Sequence, residues 1–387
     1  MVAGAGVVSW LDDLARARLA ELEAQNLRRR LRASDDDPDL VDVSSNDYLG
    51  LRTHPALVEA ACDWARRFGA GSGASRLVTG TIRPQLAVEE KLASFKHCEA
   101  ALVFASGFQA NASLLAMLGA ELGPDTRVYA DRLNHASLHH GLAAAGLRQT
   151  RFRHNDLGHL DELLARDAGK AGRALVVTES VFSMDGDRTD VAALAEIAER
   201  HGALVYLDEA HATGVLGPSG AGLAARAKGR IHVVMGTLGK ALGGFGAYVA
   251  GSRALIDLVT TRCGGFIYST APPPAVFGAL DAALDLMPGM DAERKNLARM
   301  GDDLRGHLEK LGLDHGPSST QIIPVFVKDP LASQAFLRSR GFDAVAIRPP
   351  TVPAGTGRLR ITLRADLAEH EEARLHAALT ELAETQN

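Results

Sequence analysis

The chain has 387 residues, 46% hydrophobic and 23% charged, with a formal net charge of -5 at pH 7. At ~150 residues per domain this length predicts two or three domains, and the balance excludes a disordered or fibrous protein. The negative charge argues against a nucleic-acid binder, because polyphosphate affinity rests on many Lys and Arg contacts. Cys62, Cys98 and Cys263 lie far apart with no C-x-x-C pair, so neither a disulfide framework nor a thiolate zinc site is expected. No apolar run reaches the ~20 residues that span a bilayer. No basic segment precedes the small apolar residues at the amino terminus, and the reading is a cytoplasmic protein with no membrane part.

In chain order, Leu11, Leu14, Leu19, Leu22 and Leu27 approximate a helical stripe, which predicts an N-terminal helical arm from Trp10 to Leu31. Within it Arg28, Arg29 and Arg30 read either as a solvated helix end or as a holder of a small phosphorylated ligand. A turn-rich stretch through Pro38 leads to SSNDYLGL, Ser44 to Leu51. Apolar runs then alternate with Ala- and Leu-rich helical stretches: ALVF, RVYA, ALVVT, LVYLD and HVVMG each end at polar or Gly-rich loops. That alternation predicts an α/β fold, a mostly parallel sheet covered by helices on both faces, with ligands at the carboxyl ends of its strands. After Pro288 a long charged helix (about Asp291 to Leu311), then IIPVFV, AVAIRPP, RLRITL and a closing helix from Asp366 to Leu382, predict a smaller C-terminal α+β domain. The expected division is 1–50 arm and segment, 51–287 large domain and 288–387 small domain.

The stretch ALVYLDEAHATG, Ala203 to Gly214, contains the letters of a helicase DEAH box. A nucleotide motor also needs G-x-x-x-x-G-K-[ST] ahead of that box. The nearest match, VMGTLGKA, lies after it, with Val234 for the first Gly and Ala241 for the hydroxyl residue. A pyridine aldehyde cofactor fits the same stretch better. Its ring nitrogen acts as an electron sink only when protonated, so it needs a carboxylate, and an amine must form the Schiff base. At ~3 Å and an effective dielectric near ~20 such a pair is worth roughly 5 kcal/mol, enough to hold the proton on the ring. Asp208, at the end of LVYLD, is placed for the ring nitrogen, and His211 for its phenolic oxygen; read alone, Asp208 is equally a loop cap. Lys240, in MGTLGKALGG, has apolar and Gly-rich neighbours that would lower its pKa as a Schiff-base amine needs.

FASGFQANASLLAML predicts a strand, a Ser-Gly turn and a helix, so the amides of Gly107 and Phe108 would open a helix N-terminus toward a phosphate. Ser106 and Thr237 could add hydroxyls, and Ser106 is equally a helix cap. In ADRLNHASLHHG, His135 could stack on a ring. His135 and His139 stand at i, i+4, but no Glu lies between them and His140 faces elsewhere, so no metal is expected. GAGSGASRLVTG, Gly69 to Gly80, is either a plain loop or a close backbone approach to substrate.

Taken in order, SSNDYLGL, GSGASRLVTG, SGFQAN, DRLNHASL, TESVFSMDGD, YLDEAHATG, GTLGKALGG, FIYSTAPPP and RPPTVPAGTGRLRITL resemble the α-oxoamine synthases, enzymes of aminotransferase fold type I that use pyridoxal 5'-phosphate. The resemblance runs from about Leu27 to the end, and NLRRR with AIRPPTVPAGTGRLR is most similar to the biotin-pathway branch. It implies Lys240 as the Schiff-base lysine and proton carrier, Asp208 and His211 on the ring, His135 stacked on it, and Ser183 beside it. Ser106, Gly107, Phe108 and Thr237 would hold the phosphate. Thr270 would reach the phosphate of the neighbouring subunit in a homodimer with shared sites. Arg360 would hold the amino-acid carboxylate, with Arg358 as rival, and Asn46, Arg28 and Thr351 would lie near the acyl substrate. Gly239 stands where some members have Ser. The implied reaction is decarboxylative condensation of L-alanine with a pimeloyl thioester, on coenzyme A or a carrier protein. Members using glycine with acetyl or succinyl thioesters, or serine with palmitoyl, share the cofactor residues, and a DEAH-type ATPase is the remote alternative.

Overall fold

The computed structural model describes residues 9–25, 27–31, 33, 39–227, 229–349, 351–353 and 355–386. Its strands are β1 (Val41–Asp42), β2 (Ala100–Phe104), β3 (Arg127–Asp131), β4 (Gln149–Phe152), β5 (Ala174–Glu179), β6 (Leu204–Asp208), β7 (Val233–Thr237), β8 (Ala247–Gly251), β9 (Ile322–Phe326), β10 (Phe342–Asp343), β11 (Val345–Ile347) and β12 (Arg358–Thr362). Seven of them form one sheet in the order β2-β8-β7-β6-β5-β3-β4. β8 pairs antiparallel with both β2 and β7, while the other neighbours are parallel. The carboxyl ends of β2, β3, β5, β6 and β7 therefore share one edge.

Alternation along each strand sends side chains to two cores. Leu102, Phe104, Val128, Leu175, Val177, Val233 and Met235 pack under the helices Gly107–Leu122 and Ala136–Ala144. Ala101, Val103, Tyr129, Val176, Val205 and Val234 pack on the opposite face, with Leu92, Leu160, Leu194 and Phe277 from four other helices. Burial on both faces is why these strands read as unbroken apolar runs rather than as alternating ones.

Toward the C-terminus a second, antiparallel sheet runs β11-β12-β9, flanked by the helices Asp291–Lys310 and Glu369–Gln386. β1 pairs parallel with β10, and the Thr362 and Ala365 amides donate to the carbonyls of Val43 and Tyr48 at 2.8 Å each. The segment ahead of the large sheet is thus stitched to β12. The arm helix Ser9–Ala24 stops short of the expected Leu31 and buries none of its residues. Glu23 gathers Arg28 and Arg30 at 3.0 and 3.3 Å, which turns the chain back beyond the helix. The stretch through Pro38 lies outside the described residues.

The loops after β3 and β5 are clamped by His154. Its Nδ1 lies 3.0 Å from Asp131 and its Nε2 3.1 Å from Asp187, with the ring edge-on to Phe182. Burial by itself would lower the imidazole pKa, but the two carboxylates outweigh it and hold it up to about 10. The clamp is therefore charged at neutral pH. A raised pKa stabilises the fold fully below the unfolded value of ~6.5 and loses that stabilisation as pH rises through the folded value. We expect His154→Phe to lower unfolding stability by about 2–3 kcal/mol at pH 7. The gap between variant and parent in urea denaturation should narrow as pH approaches 10; an undiminished gap would show that packing on Phe182 carries the effect.

Candidate active site

Five loops leave the carboxyl edge of the large sheet, and each carries a residue singled out in the sequence: Ser106 after β2, His135 after β3, Ser183 after β5, His211 after β6 and Lys240 after β7. At the centre Lys240 Nζ lies 2.9 Å from His211 Nε2. Burial pushes the Lys240 ammonium down to about 8, against the opposing pull of Asp208 and Glu179. Burial, with the nearby charges of Lys240 and Arg360, also drives His211 well below the ordinary imidazole value. His211 is thus neutral and faces an amine that loses its proton near physiological pH.

Asp208 ends β6 with its carboxylate almost fully enclosed. Asn111 Nδ2 donates to Oδ2 and the Ala210 amide to Oδ1, both at 2.8 Å. Asn111 is oriented in turn by Tyr206, whose hydroxyl donates to its Oδ1 at 2.7 Å. An Asn inside the apolar helix Gly107–Leu122 was the visible signal for this partner, and the sequence reading passed over it. Glu179 was missed as well. It pairs in register with Asp208 on the next strand and accepts the His135 amide at 2.5 Å. Burial, and then the charge of Asp208, raise its pKa well above the carboxylate range.

Ser106 caps the helix Gly107–Leu122, its Oγ accepting from Gln109 N at 3.1 Å. A Cβ on Gly107 would come 2.8 Å from Thr237 Cγ2, so only glycine lets the helix start approach the β7 loop this closely. The first amides of the helix open there beside Thr237, whose hydroxyl donates to the Ala210 carbonyl at 3.4 Å, and a helix start is suited to an anion. His135 caps the helix Ala136–Ala144, its Nδ1 accepting from the Ser137 amide at 3.2 Å. Thr270 is bridged to Ser75 in the Gly-rich loop, and no hydrogen bond among the described residues joins it to Lys240.

The two candidate arginines on β12 separate by partner. Arg358 is bound to Asp185 at 2.5 Å and stacks on Phe326. Arg360 has no carboxylate partner among the described residues; it donates to the Ser183 carbonyl at 2.5 Å and to Asn46 Oδ1 at 3.1 Å. Arg360 is therefore the guanidinium with donors to spare. Arg28 is paired with Glu23, while Arg29 donates to Thr351 Oγ1 at 2.9 Å. Among the described residues no group of three or more His, Cys, Asp or Glu side chains is arranged to hold a metal ion, and no helix is long and apolar enough to cross a membrane.

The aminotransferase class I and II family matches residues 38–379, nearly the whole chain. The chain belongs to this family. The 8-amino-7-oxononanoate synthase of Gluconacetobacter diazotrophicus is 54% identical over 96% of this chain and 97% of its own. A Bordetella pertussis protein that carries the same name provisionally is 56% identical over 97% of this chain and 98% of its own. Among solved structures, the serine palmitoyltransferase of Sphingomonas wittichii superposes with a TM-score of 0.87 at 26% identity, covering 99% of each chain. The family shows aminotransferase fold type I and an enzyme, and the DEAH-box ATPase reading falls.

The remaining letter of that box has a structural part. Glu209 forms a fully buried ion pair with Lys96 at 2.8 Å, and its other oxygen accepts the Ala224 amide at 2.8 Å. Lys96 also donates to the Ala221 carbonyl, and a Cβ on Gly222 would collide with the Glu209 carboxylate. The pair holds the 213–224 loop against the turn that presents His211. Glu209→Gln should cost about 3–5 kcal/mol, because it leaves a buried ammonium uncompensated. Lys96→Met combined with Glu209→Met should recover most of that in urea denaturation; a double variant as unstable as the single one would refute a charge-based account.

Proposed function

We propose that this chain is an 8-amino-7-oxononanoate synthase. It condenses L-alanine with a pimeloyl thioester, carried on coenzyme A or a carrier protein, to give 8-amino-7-oxononanoate, carbon dioxide and the free thiol in biotin biosynthesis. The observation that carries this reading is full-length likeness to relatives of that name at over half identity, joined to a site with the matching donors. The likeness to serine palmitoyltransferase, at 26% identity, is mainly one of fold.

The cofactor is pyridoxal 5'-phosphate, and the residues present fit it. They offer one amine of lowered pKa, one enclosed carboxylate already carrying two N–H donors, and a helix start at which a Cβ on Gly107 would press on Thr237. Bound there, the group supplies an electron sink for charge developing at the amino acid's α-carbon. Asp208 would hold the ring nitrogen and His211 the phenolic oxygen. His135 would cover a ring face, with Ser183 beside it. Ser106, Thr237 and the amides of Gly107 and Phe108 would receive the phosphate.

Lys240 would hold the cofactor through its amine and, once free of it, would move the α-proton as general base and acid, a task suited to an amine whose pKa lies near the operating pH. Arg360 holds the alanine carboxylate until it leaves as carbon dioxide. Asn46, Arg28 and Thr351 line the acyl side. In Lys240→Ala, condensation of L-alanine with pimeloyl-CoA should fall below detection while the protein still binds cofactor; retained turnover would remove Lys240 from the role. In the parent, borohydride should fix the cofactor to the Lys240 peptide, and the rate at which cofactor-free protein takes up the aldehyde, read by absorbance before reduction, should rise with pH through about 8.

Thr270 serves the site of a second copy. Beside the site Phe108 is 50%, Phe245 57% and Tyr268 86% exposed, an apolar rim that a partner subunit would cover. Sedimentation at twice the chain mass is the expected result, and a stable monomer with full activity would exclude shared sites.

A further inference from the structure

SSNDYLGL does more than present Asn46. Tyr48, in the middle of it, is completely buried, and its hydroxyl oxygen lies 2.6 Å from His211 Nδ1 and 3.0 Å from Asn46 Oδ1. The same Asn46 oxygen accepts from Arg360 Nη2 at 3.1 Å, and His211 Nε2 faces Lys240 Nζ at 2.9 Å. Five side chains thus form one hydrogen-bonded file, Arg360–Asn46–Tyr48–His211–Lys240, running from the candidate carboxylate ligand to the candidate Schiff-base lysine.

The direction of every bond in that file follows from its first member. Arg360 has donors only, so the Asn46 atom facing it is the amide oxygen, which can only accept. The single Tyr48 proton goes to that oxygen. Burial raises the Tyr48 pKa to about 12, so the hydroxyl keeps its proton. With its one proton committed, the Tyr48 oxygen can only accept from His211, so Nδ1 carries the hydrogen. In a neutral imidazole the other nitrogen is then a bare acceptor.

We propose that Tyr48 is a positioning residue that sets the tautomer of His211, holding the proton on Nδ1 and leaving Nε2 as the acceptor that faces Lys240. The inference about the tautomer stands on this hydrogen-bonded file alone; its consequence for turnover rests on the function proposed above. An acceptor at Nε2 takes a hydrogen bond from the Lys240 ammonium across the 2.9 Å contact. Were the tautomer reversed, Nε2–H would oppose that ammonium.

Tyr48 and His211 are both held for this task by backbone contacts. The Tyr48 carbonyl accepts the Ala365 amide at 2.8 Å, its amide donates to the Asn46 carbonyl at 2.9 Å, and Gln321 Nε2 donates to the His211 carbonyl at 2.9 Å. Asp47 Oδ1 receives the Leu51 amide at 2.9 Å and fixes the turn beyond.

The test uses the full-length protein labelled with 15N-histidine, without cofactor, where ring shifts separate protonated from bare nitrogens independently of any substrate. The parent is expected to show His211 with Nδ1 protonated and Nε2 bare. In Tyr48→Phe the Nδ1–H loses its acceptor, and the ring should shift toward the Nε2–H form or a mixture. In the cofactor-loaded enzyme the same variant should lower kcat on the order of tenfold or more, with KM for alanine changed less than about threefold. A parent spectrum with protonated Nε2 overturns the proposal even if Tyr48→Phe fails to fold. A folded variant with the parent's ring shifts also overturns it. If the shifts behave as expected but neither protein condenses alanine with pimeloyl-CoA, the tautomer assignment stands and the function proposed above fails.

Discussion

Glu179 and Asp208 stand in register at the ends of adjacent parallel strands, both enclosed. Burial, and then the charge of Asp208, push the Glu179 pKa well above the carboxylate range, while Asp208 accepts N–H bonds from Asn111 and from its own turn. The two carboxylates pull the Lys240 pKa up and burial pushes it down by more, so the amine comes to about 8. The rest of the site is arranged about this pair.

The site is made of strand-end loops, which have little core of their own, and each is tied down from outside. His154 joins the β3 and β5 loops through two carboxylates. Lys96, from the end of a distant helix, holds the β6 turn through Glu209. β12 brings Arg360 and, through its contacts with the chain at Val43 and Tyr48, the segment that touches His211. Buried charged pairs are costly to make and more costly to break singly. Their worth here is that they hold neighbouring loops in one geometry.

Much of this was legible in the sequence. The apolar runs ALVF, RVYA, ALVVT, LVYLD and HVVMG are strands, and the polar residues that follow them line one edge, as strand period and burial on both faces require. β4 and β8 were not foreseen: β4 is a short edge strand with three of its four residues polar, and β8 follows a Gly-rich loop that hides its start. Asn111 was passed over because helical periodicity treats a lone Asn as a packing oddity. Tyr48 was passed over because an aromatic residue between Asp and Leu looks like core. Only its hydroxyl distinguishes it, and the partners of that hydroxyl lie 2 and 163 positions away.

What the sequence determined by itself was local: which stretches are extended, which glycines and serines open helices, and which residue types have the chemistry of a Schiff base and its counter-charge. Those depend on neighbours along the chain and on side-chain chemistry. The tertiary structure decided everything that depends on approach between distant segments. It chose Arg360 over Arg358 as the guanidinium with donors to spare, because Asp185 occupies the other. It set Glu179 in register beside Asp208, and it aligned Tyr48 between Asn46 and His211. Proton positions follow from such alignments, since a hydrogen bond has a direction only when both partners are in place.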